Sequence, residues 1–444
     1  MSTGSLNVIR RHPITCCVLL ILTLGGCAQS AASVKPMGAY RLEDGRVVSI
    51  RRSTEDALRY RFYENGESGR LYRMTETRYV SGAGFSSRSP VNLTVDFEMN
   101  ADGRVRNLSW TDRDGPVLGG SRIGEEESIS FESDGARLSA RLDLPAGPGP
   151  HPAIVLLHGS GSDAGTEYLY NGDFFAAHGI AALVYDKRGT GRSEGTYTFD
   201  YEQLARDAVA AVQFLKARSD IDPERIGLAG YSQGGWVAPL AASLSEDVRF
   251  VLVSYGMIES AVEEARLETR NLVRKRGVAE EFMPAVDELT VAAVHVVATD
   301  FREGWDEFAA AKKKHKNAPW TQQLHGSPVA GFLKYPRWLV KMVGRRKAPN
   351  GLSWYYDSSR VLDDLTIPMA WFLGEADESA PNELTIPTLR RLRESGKPYE
   401  LILFPDADHT MLIFDERDGE RIYSGYAPGY FRAEVEHARR LAGL

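Results

Sequence analysis

The sequence predicts an α/β protein, a mostly parallel sheet flanked by helices and carrying a helical insertion, preceded by a small β-rich domain. Three observations carry this expectation. Short strand-like runs separated by turn residues fill the stretch from Tyr40 to about Trp110. From about Ser128, apolar runs alternate with helical patterns, the rhythm of strands and crossover helices around a parallel sheet. Those runs are continuously apolar, as strands buried on both faces must be. The 444 residues fit about three domains at ~150 residues each. With 43% hydrophobic and 25% charged residues, the chain is not disordered, collagen-like or a coiled coil as a whole. Its net charge of −7 disfavours nucleic acid as a partner.

At the N-terminus, Arg10 and Arg11 precede the apolar run Ile14 to Leu24, the pattern of a signal peptide. The run is shorter than the ~20 residues a spanning helix needs. Leu24-Gly25-Gly26-Cys27 resembles the lipobox of bacterial lipoproteins, which is cut before the cysteine. The resemblance implies that residues 1–26 are removed, that Cys27 carries lipid, and that 27–37 form a lipidated tether. Several acyl chains anchor stably where one is marginal. Ala28 in place of an aspartate implies the outer membrane, facing the periplasm. An ordinary secretory signal with an incidental cysteine is the alternative. All three cysteines, Cys16, Cys17 and Cys27, fall in this segment, so the body has no thiol for a disulfide, a nucleophile or a metal. No metal cluster or cofactor motif is visible, and neither is expected.

Residues 38–120 form the expected β-rich domain. Asp44-Gly45 and Asp102-Gly103 read as hairpin turns, the second flanked by Val91 to Phe97 and Val105 to Trp110. The pattern resembles small lipocalin-like meanders. It contains no His or Cys, so packing or partner binding is expected of it rather than catalysis. Residues 121–444 form the α/β domain. A leading hairpin, Ile129 to Phe131 with Leu138 to Leu144, precedes six strands: Ala153 to Leu157, Ile180 to Tyr185, Ile226 to Gly230, Phe250 to Val253, Met369 to Leu373 and Leu401 to Phe404. Between the second and third, Asp200 to Ala217 reads as a helix. Asp200 and Gln203 suggest a capping box, and Leu204, Ala208, Val212 and Leu215 make one apolar face.

The chemistry lies at the ends of those strands. Gly230-Tyr231-Ser232-Gln233-Gly234-Gly235 sits between a strand and a helical run, the context of a nucleophile elbow. Gly230 and Gly234 flank Ser232 because side chains there would collide across the tight turn. A serine hydroxyl needs a base, and the base an orienting acid, in the order Ser, acid, His. His409 follows the last strand and is the candidate base. Asp377 follows the strand before it and is the candidate acid, with Glu375, Glu378 and Asp408 as neighbouring carboxylates of the same chemistry. Backbone N–H groups of Gln233 and of Ser160, or of Gly161, are candidate oxyanion donors. A phosphate-loop reading of Gly159-Ser160-Gly161 fits neither fingerprint spacing.

His158 to Ser162, Tyr185 to Gly195, Gly230 to Gly235, Gly374 to Pro381 and Phe404 to His409 together resemble the α/β-hydrolase superfamily, most closely its dienelactone-hydrolase-like and prolyl-oligopeptidase-like branch. The resemblance implies Ser232 as nucleophile, Asp377 as acid and His409 as base. It makes Asp186, Arg188 and Gly189 a structural turn that braces the site. The expected activity is hydrolysis of a small carboxylic ester through an acyl-enzyme. An exopeptidase or thioesterase is the alternative, and a non-catalytic envelope binding protein a further one. Residues 257–366 depart from a plain hydrolase and read as a helical lid over Ser232. Within it, Lys312 to Lys316 and Lys334 to Lys341 are basic with apolar interleaving. They read either as a contact for anionic lipid head groups or as a solvated face, and pairing with nearby acidic residues explains the run equally well.

Overall fold

The computed structural model describes residues 36–444 except 54–56, 101–104 and 418. The expected signal segment, Cys27, nearly all of the expected tether and the expected Asp102-Gly103 turn lie outside the described residues. Among the described residues no helix is long and apolar enough to cross a membrane.

The N-terminal domain is a nine-stranded antiparallel sheet. Its strands are β1 (Gly38–Leu42), β2 (Val47–Arg52), β3 (Leu58–Phe62), β4 (Ser68–Arg70), β5 (Tyr72–Arg73), β6 (Arg78–Gly82), β7 (Val91–Met99), β8 (Val105–Asp112) and β9 (Val117–Arg122). The order is β4-β3-β2-β1-β9-β8-β7-β6-β5, so the first and last long strands pair. Leu93, Val95 and Phe97 alternate inward along β7, as a half-buried strand requires. Trp110 fills the centre of this domain's own core, with Tyr60 and Phe62 edge-on at 5.3 and 5.1 Å. Asp44-Gly45 makes the expected turn between β1 and β2, with Gly45 at φ +91°.

The main sheet has eight strands: β10 (Glu125–Ser133), β11 (Ala136–Leu144), β12 (His151–Leu157), β13 (Ala181–Tyr185), β14 (Ile221–Tyr231), β15 (Phe250–Ser254), β16 (Met369–Gly374) and β17 (Tyr399–Phe404). Their order is β10-β11-β13-β12-β14-β15-β16-β17. The leading hairpin and its join to β13 are antiparallel, and β13 through β17 are parallel. The helices before the insertion are α1 (Gly165–Tyr168), α2 (Asn171–Ala177), α3 (Tyr201–Lys216) and α4 (Gly234–Ser243). Residue alternation along β12 separates the two cores. Ala153, Val155 and Leu157 face α3 and α4, whereas Ile154 and Leu156 face Phe174 and Phe175 of α2. Leu204, Ala208, Val212 and Leu215 of α3 are all buried, as the periodicity requires. Only half of the expected capping box forms. The Asp200 carboxylate accepts from the N–H groups of Glu202 and Gln203, but the Gln203 amide turns to Asp134 and Asp207. The N–H of Asp200 donates to Thr198 Oγ1 instead, which leaves Gln203 no donor to cap.

The insertion is helical, as expected: α5 (Ala261–Lys275), α6 (Met283–Ala298), α7 (Trp305–His315), α8 (Ala330–Lys334), α9 (Arg337–Lys347) and α10 (Ser359–Asp364). Val286, Leu289, Phe301, Trp305, Phe308 and Phe332 give the insertion a core of its own. Leu362 on α10 packs instead into the main core, so the last helix of the insertion belongs to the sheet's flanking layer. Helix α11 (Thr385–Glu394), the hairpin β18 (Leu412–Arg417) and β19 (Glu420–Tyr426), and α12 (Tyr430–Leu441) complete the chain. Three residues of the run from Lys312 to Lys316 have partners within the insertion. Lys312 Nζ donates to the carbonyls of Phe332 and Leu333, and Lys314 and His315 both meet Glu288.

A buried charge cluster joins the two domains. Arg51 of β2 is 1% exposed and reaches Asp173 of α2 at 2.7 Å and Glu126 of β10 at 2.8 Å. Asp143, itself held by Arg141 at 3.0 Å, lies 3.4 Å away. Ser49 Oγ donates to the same Asp173 carboxylate. Removing one member of such a cluster leaves an uncompensated buried charge. Arg51→Ala is expected to cost about 3–5 kcal/mol of stability, read as a lower urea midpoint, with the far-ultraviolet spectrum of the folded protein unchanged.

Candidate active site

Strand β14 ends at Tyr231, and Ser232 turns the chain into α4 with φ +53°. That left-handed conformation costs a non-glycine residue about 1–3 kcal/mol and persists only where the surroundings impose it. Here packing imposes it. A Cβ on Gly230 would sit 2.1 Å from the carbonyl oxygen of Gly234, and one on Gly234 would sit 2.3 Å from that of Leu157. Ser232 N–H donates to Ser254 O at the end of β15, and Ser232 O accepts from Gly235 N–H. The turn is thereby pinned at both ends while the hydroxyl stays free to project.

The structure brings together three of the expected residues in one line. His409 Nε2 lies 3.1 Å from Ser232 Oγ, and His409 Nδ1 lies 2.8 Å from Asp377 Oδ2. The other oxygen of Asp377 accepts from the N–H groups of Ser379 and Ala380, which fixes the carboxylate. The competing carboxylates are engaged elsewhere. Asp408 accepts from Tyr423 Oη, and Glu378 pairs with Lys275 and Arg421, while Glu375 is exposed. His409 sits on a strained turn, with Thr410 at φ +69° and Met411 at +62°. Tyr255, also at positive φ, presents its ring edge-on to His409 at 5.1 Å. Backbone strain thus gathers at this site, as it does at functional sites generally. Burial pulls the His409 pKa down, but the Asp377 carboxylate outweighs it, and the net shift is upward.

The turn after β12 packs against the serine: a Cβ on Gly159 would lie 3.2 Å from Ser232 Cβ. Gln233 is buried and opens α4, whose first backbone N–H groups lack intrahelical acceptors. Ser160 is fixed through its carbonyl, which accepts from Tyr197 Oη. Asp186 accepts from Thr166 and from the Arg192 N–H, and Arg188 makes a two-pronged bond to buried Asp207, so these side chains brace the loop. Between them lies a residue the sequence reading passed over. Buried Lys187 donates from Nζ to Gly159 O at 2.7 Å and to Gln233 Oε1 at 3.0 Å. It ties the two candidate donor segments to each other, and burial pushes its pKa down to about 7.

A second omission is a cavity of about 550 Å³ inside the insertion, walled by α5, α6, α8 and α9. Its lining is mostly apolar, and its charged members are Glu264 and Glu268, one turn apart on α5. Among the described residues neither carboxylate has an ion-pair partner. Burial, opposed by His409 and reinforced by Asp377, pushes Glu264 up to about 7, which places it within electrostatic reach of both residues. Glu268 is pushed well above the ordinary carboxylate range by burial and by Glu264. The i, i+4 spacing was visible in the sequence, but nothing there distinguished it from a solvated helix face.

Asp377→Asn is expected to lower the His409 pKa, because the charge that raises it is removed while burial remains. An imidazole NMR titration of both proteins checks this, and an unchanged or raised value would contradict it.

The alpha/beta hydrolase family model matches residues 154–423. Esterase EstD of Thermotoga maritima is 29% identical over 348 residues, which cover 72% of each chain. Thiohydrolase aneE of Aspergillus aculeatus is 35% identical over 133 residues, 30% of this chain and 41% of that protein. The chain thus spans about two fifths of that thiohydrolase and of a second fungal one, apmlB of Arthrinium phaeospermum. Among solved structures, an esterase of Pyrococcus furiosus is 17% identical with a TM-score of 0.41, covering 64% of this chain and 83% of its own. With the family model spanning β12 through β19, the chain belongs to the alpha/beta hydrolase family.

Proposed function

We propose that this chain is a serine hydrolase that cleaves small carboxylic esters through an acyl-enzyme, and that lipid on Cys27 anchors it in the bacterial envelope. The observation that carries the reading is the continuous hydrogen-bond line Ser232–His409–Asp377 past the carboxyl ends of the parallel strands β14, β17 and β16 of one sheet. His409 Nε2 takes the proton as Ser232 Oγ attacks the ester carbonyl. The Asp377 carboxylate holds the ring through Nδ1 and stabilises the imidazolium. Backbone N–H groups of Gln233 and Ser160 receive the oxyanion, worth about 2.7–4 kcal/mol for each such donor. His409 then protonates the leaving alcohol, and water repeats the sequence to release the acid. The anchoring reading is supported by Arg10-Arg11, the apolar run and the cysteine that ends it.

The apolar walls of the insertion cavity suit an acyl or aryl group. Purified protein assayed on p-nitrophenyl esters of graded chain length, beside acyl-CoA as the thioester counterpart, tests the assignment. Ser232→Ala is expected to reduce ester turnover by about 10⁶-fold. Turnover that survives the substitution would remove Ser232 as nucleophile.

One observation favours a second reading. Glu264 and Glu268 are unpaired carboxylates facing that cavity, the arrangement that would hold a substrate's ammonium group, as an exopeptidase requires. On this reading aminoacyl p-nitroanilides are hydrolysed faster than simple acyl esters. Glu264→Gln then raises KM for the amine-bearing substrate by tenfold or more, about 1.4 kcal/mol, and leaves simple esters unaffected. Equal effects on both substrates would assign Glu264 to the architecture of the site instead.

A further inference from the structure

The stretch from Phe308 to Tyr356 holds no Asp or Glu but ten Lys and Arg, on a chain whose net charge is −7. Part of that charge is neutralised: Lys312, Lys314 and His315 have the partners described above, Arg345 lies 3.6 Å from Asp300, and Arg337 stacks on the Trp305 ring. Of the rest, Lys313, Lys316 and Lys334 precede α9, and Lys341, Arg346 and Lys347 lie on it. Among the described residues Lys341 and Arg346 have no ion-pair partner. Beside them stand large apolar side chains that water covers: Trp338 at 66% exposure, with Tyr335 and Met342 at 45%.

The helical repeat sorts these residues into two faces. Arg337, Lys341 and Arg345 form one outward row, and Trp338, Met342 and Arg346 form the row beside it. Leu339, Val340 and Gly344 point the other way and line the cavity. An exposed tryptophan and methionine gain nothing from bulk water, and unpaired cations beside them select an anionic partner. A basic helix face with an aromatic anchor is the pattern of interfacial membrane binding, and a duplex nucleic acid has no apolar layer to receive Trp338 and Met342.

We propose that α9, with Tyr335 at its start, is a docking face for an anionic lipid bilayer. Tyr335, Trp338 and Met342 enter the head-group region, and Lys341 and Arg346 meet lipid phosphates. Tyr335 and Val343 are both exposed and cavity-lining, so docking sets the cavity rim against the lipid. Delivery of an apolar ester from the bilayer into the cavity is a consequence that rests on the hydrolase reading above. The docking itself does not.

The cysteine-free body allows a direct test. In the full chain with Cys16, Cys17 and Cys27 replaced by serine, Met342→Cys supplies a single thiol for an environment-sensitive fluorophore. A second chain with Met74→Cys, exposed on the N-terminal domain, is the control. Vesicles of phosphatidylcholine mixed with phosphatidylglycerol are expected to brighten and blue-shift the label at position 342 and not that at 74. Pure phosphatidylcholine vesicles should act at least about tenfold more weakly, as should the mixed vesicles on a chain also carrying Lys341→Gln and Arg346→Gln. A response at 342 no larger than that at 74, the same response to heparin alone, or a shift that follows protein concentration without vesicles would each overturn the proposal. Ser232→Ala is expected to bind the vesicles unchanged, which separates failure of docking from failure of the hydrolase reading.

Discussion

The arrangement depends on one steric constraint, the left-handed backbone at Ser232. A serine at φ +53° between strand and helix is unfavourable alone and survives because no other path fits. The carbonyl oxygens of Gly234 and Leu157 occupy the space that side chains at 230 and 234 would need. Those oxygens are fixed in turn by the parallel pairing of β12 with β14 and by the packing of α4 against the sheet. The main core therefore holds Ser232 in place, and the same sheet carries Asp377 and His409 on the ends of β16 and β17. Three residues separated by 32 and 177 positions meet because parallel strands end on one edge.

Chemical identity alone does not distinguish the acids near His409; their partners do. Asp377 accepts from two backbone N–H groups and from the imidazole, which fixes the carboxylate against the ring. Asp408, one residue from His409, is buried, and burial pushes it up to about 6 despite the Tyr423 hydroxyl and Arg421. Glu264 has no hydrogen-bond donor among the described residues, and burial pushes it up to about 7. Of these three carboxyls, Asp377 is the one that touches the imidazole ring.

The strands and the elbow were legible because their signals are local. Continuous apolar runs gave all six parallel strands to within a few residues, and Gly-x-Ser-x-Gly between strand and helix gave the turn. His409 was legible through chain order. What escaped depends on contacts between distant segments. Lys187 looked like one basic residue in a charged loop, yet its ammonium bridges Gly159 and Gln233 across 28 and 46 positions. Arg51 sat in a strand with no visible partner, and its acids come from three later elements. The capping box failed for a similar reason. Gln203 has the right spacing, but Asp134, 69 residues earlier, offers its amide a better acceptor while Thr198 takes the N–H it would have capped.

The N-terminal domain contributes no residue to the Ser232–His409–Asp377 line, yet its contacts are not spread evenly. Arg51 and Ser49 hold α2 through Asp173. Arg61 stacks on Tyr170 at 4.1 Å and donates to Tyr426 Oη, and the Gly66 carbonyl accepts from the Tyr426 N–H. Tyr426 ends the hairpin whose first strand begins three residues after His409, at Leu412, and Leu412 pairs directly with Tyr426. The domain therefore grips the far side of the same short segment that includes the strained Thr410 and Met411. Strain of that kind persists only where surrounding structure over-determines it. The N-terminal sheet thus packs behind the segment that follows His409, and the buried Arg51 cluster ties the same sheet to α2 and β10.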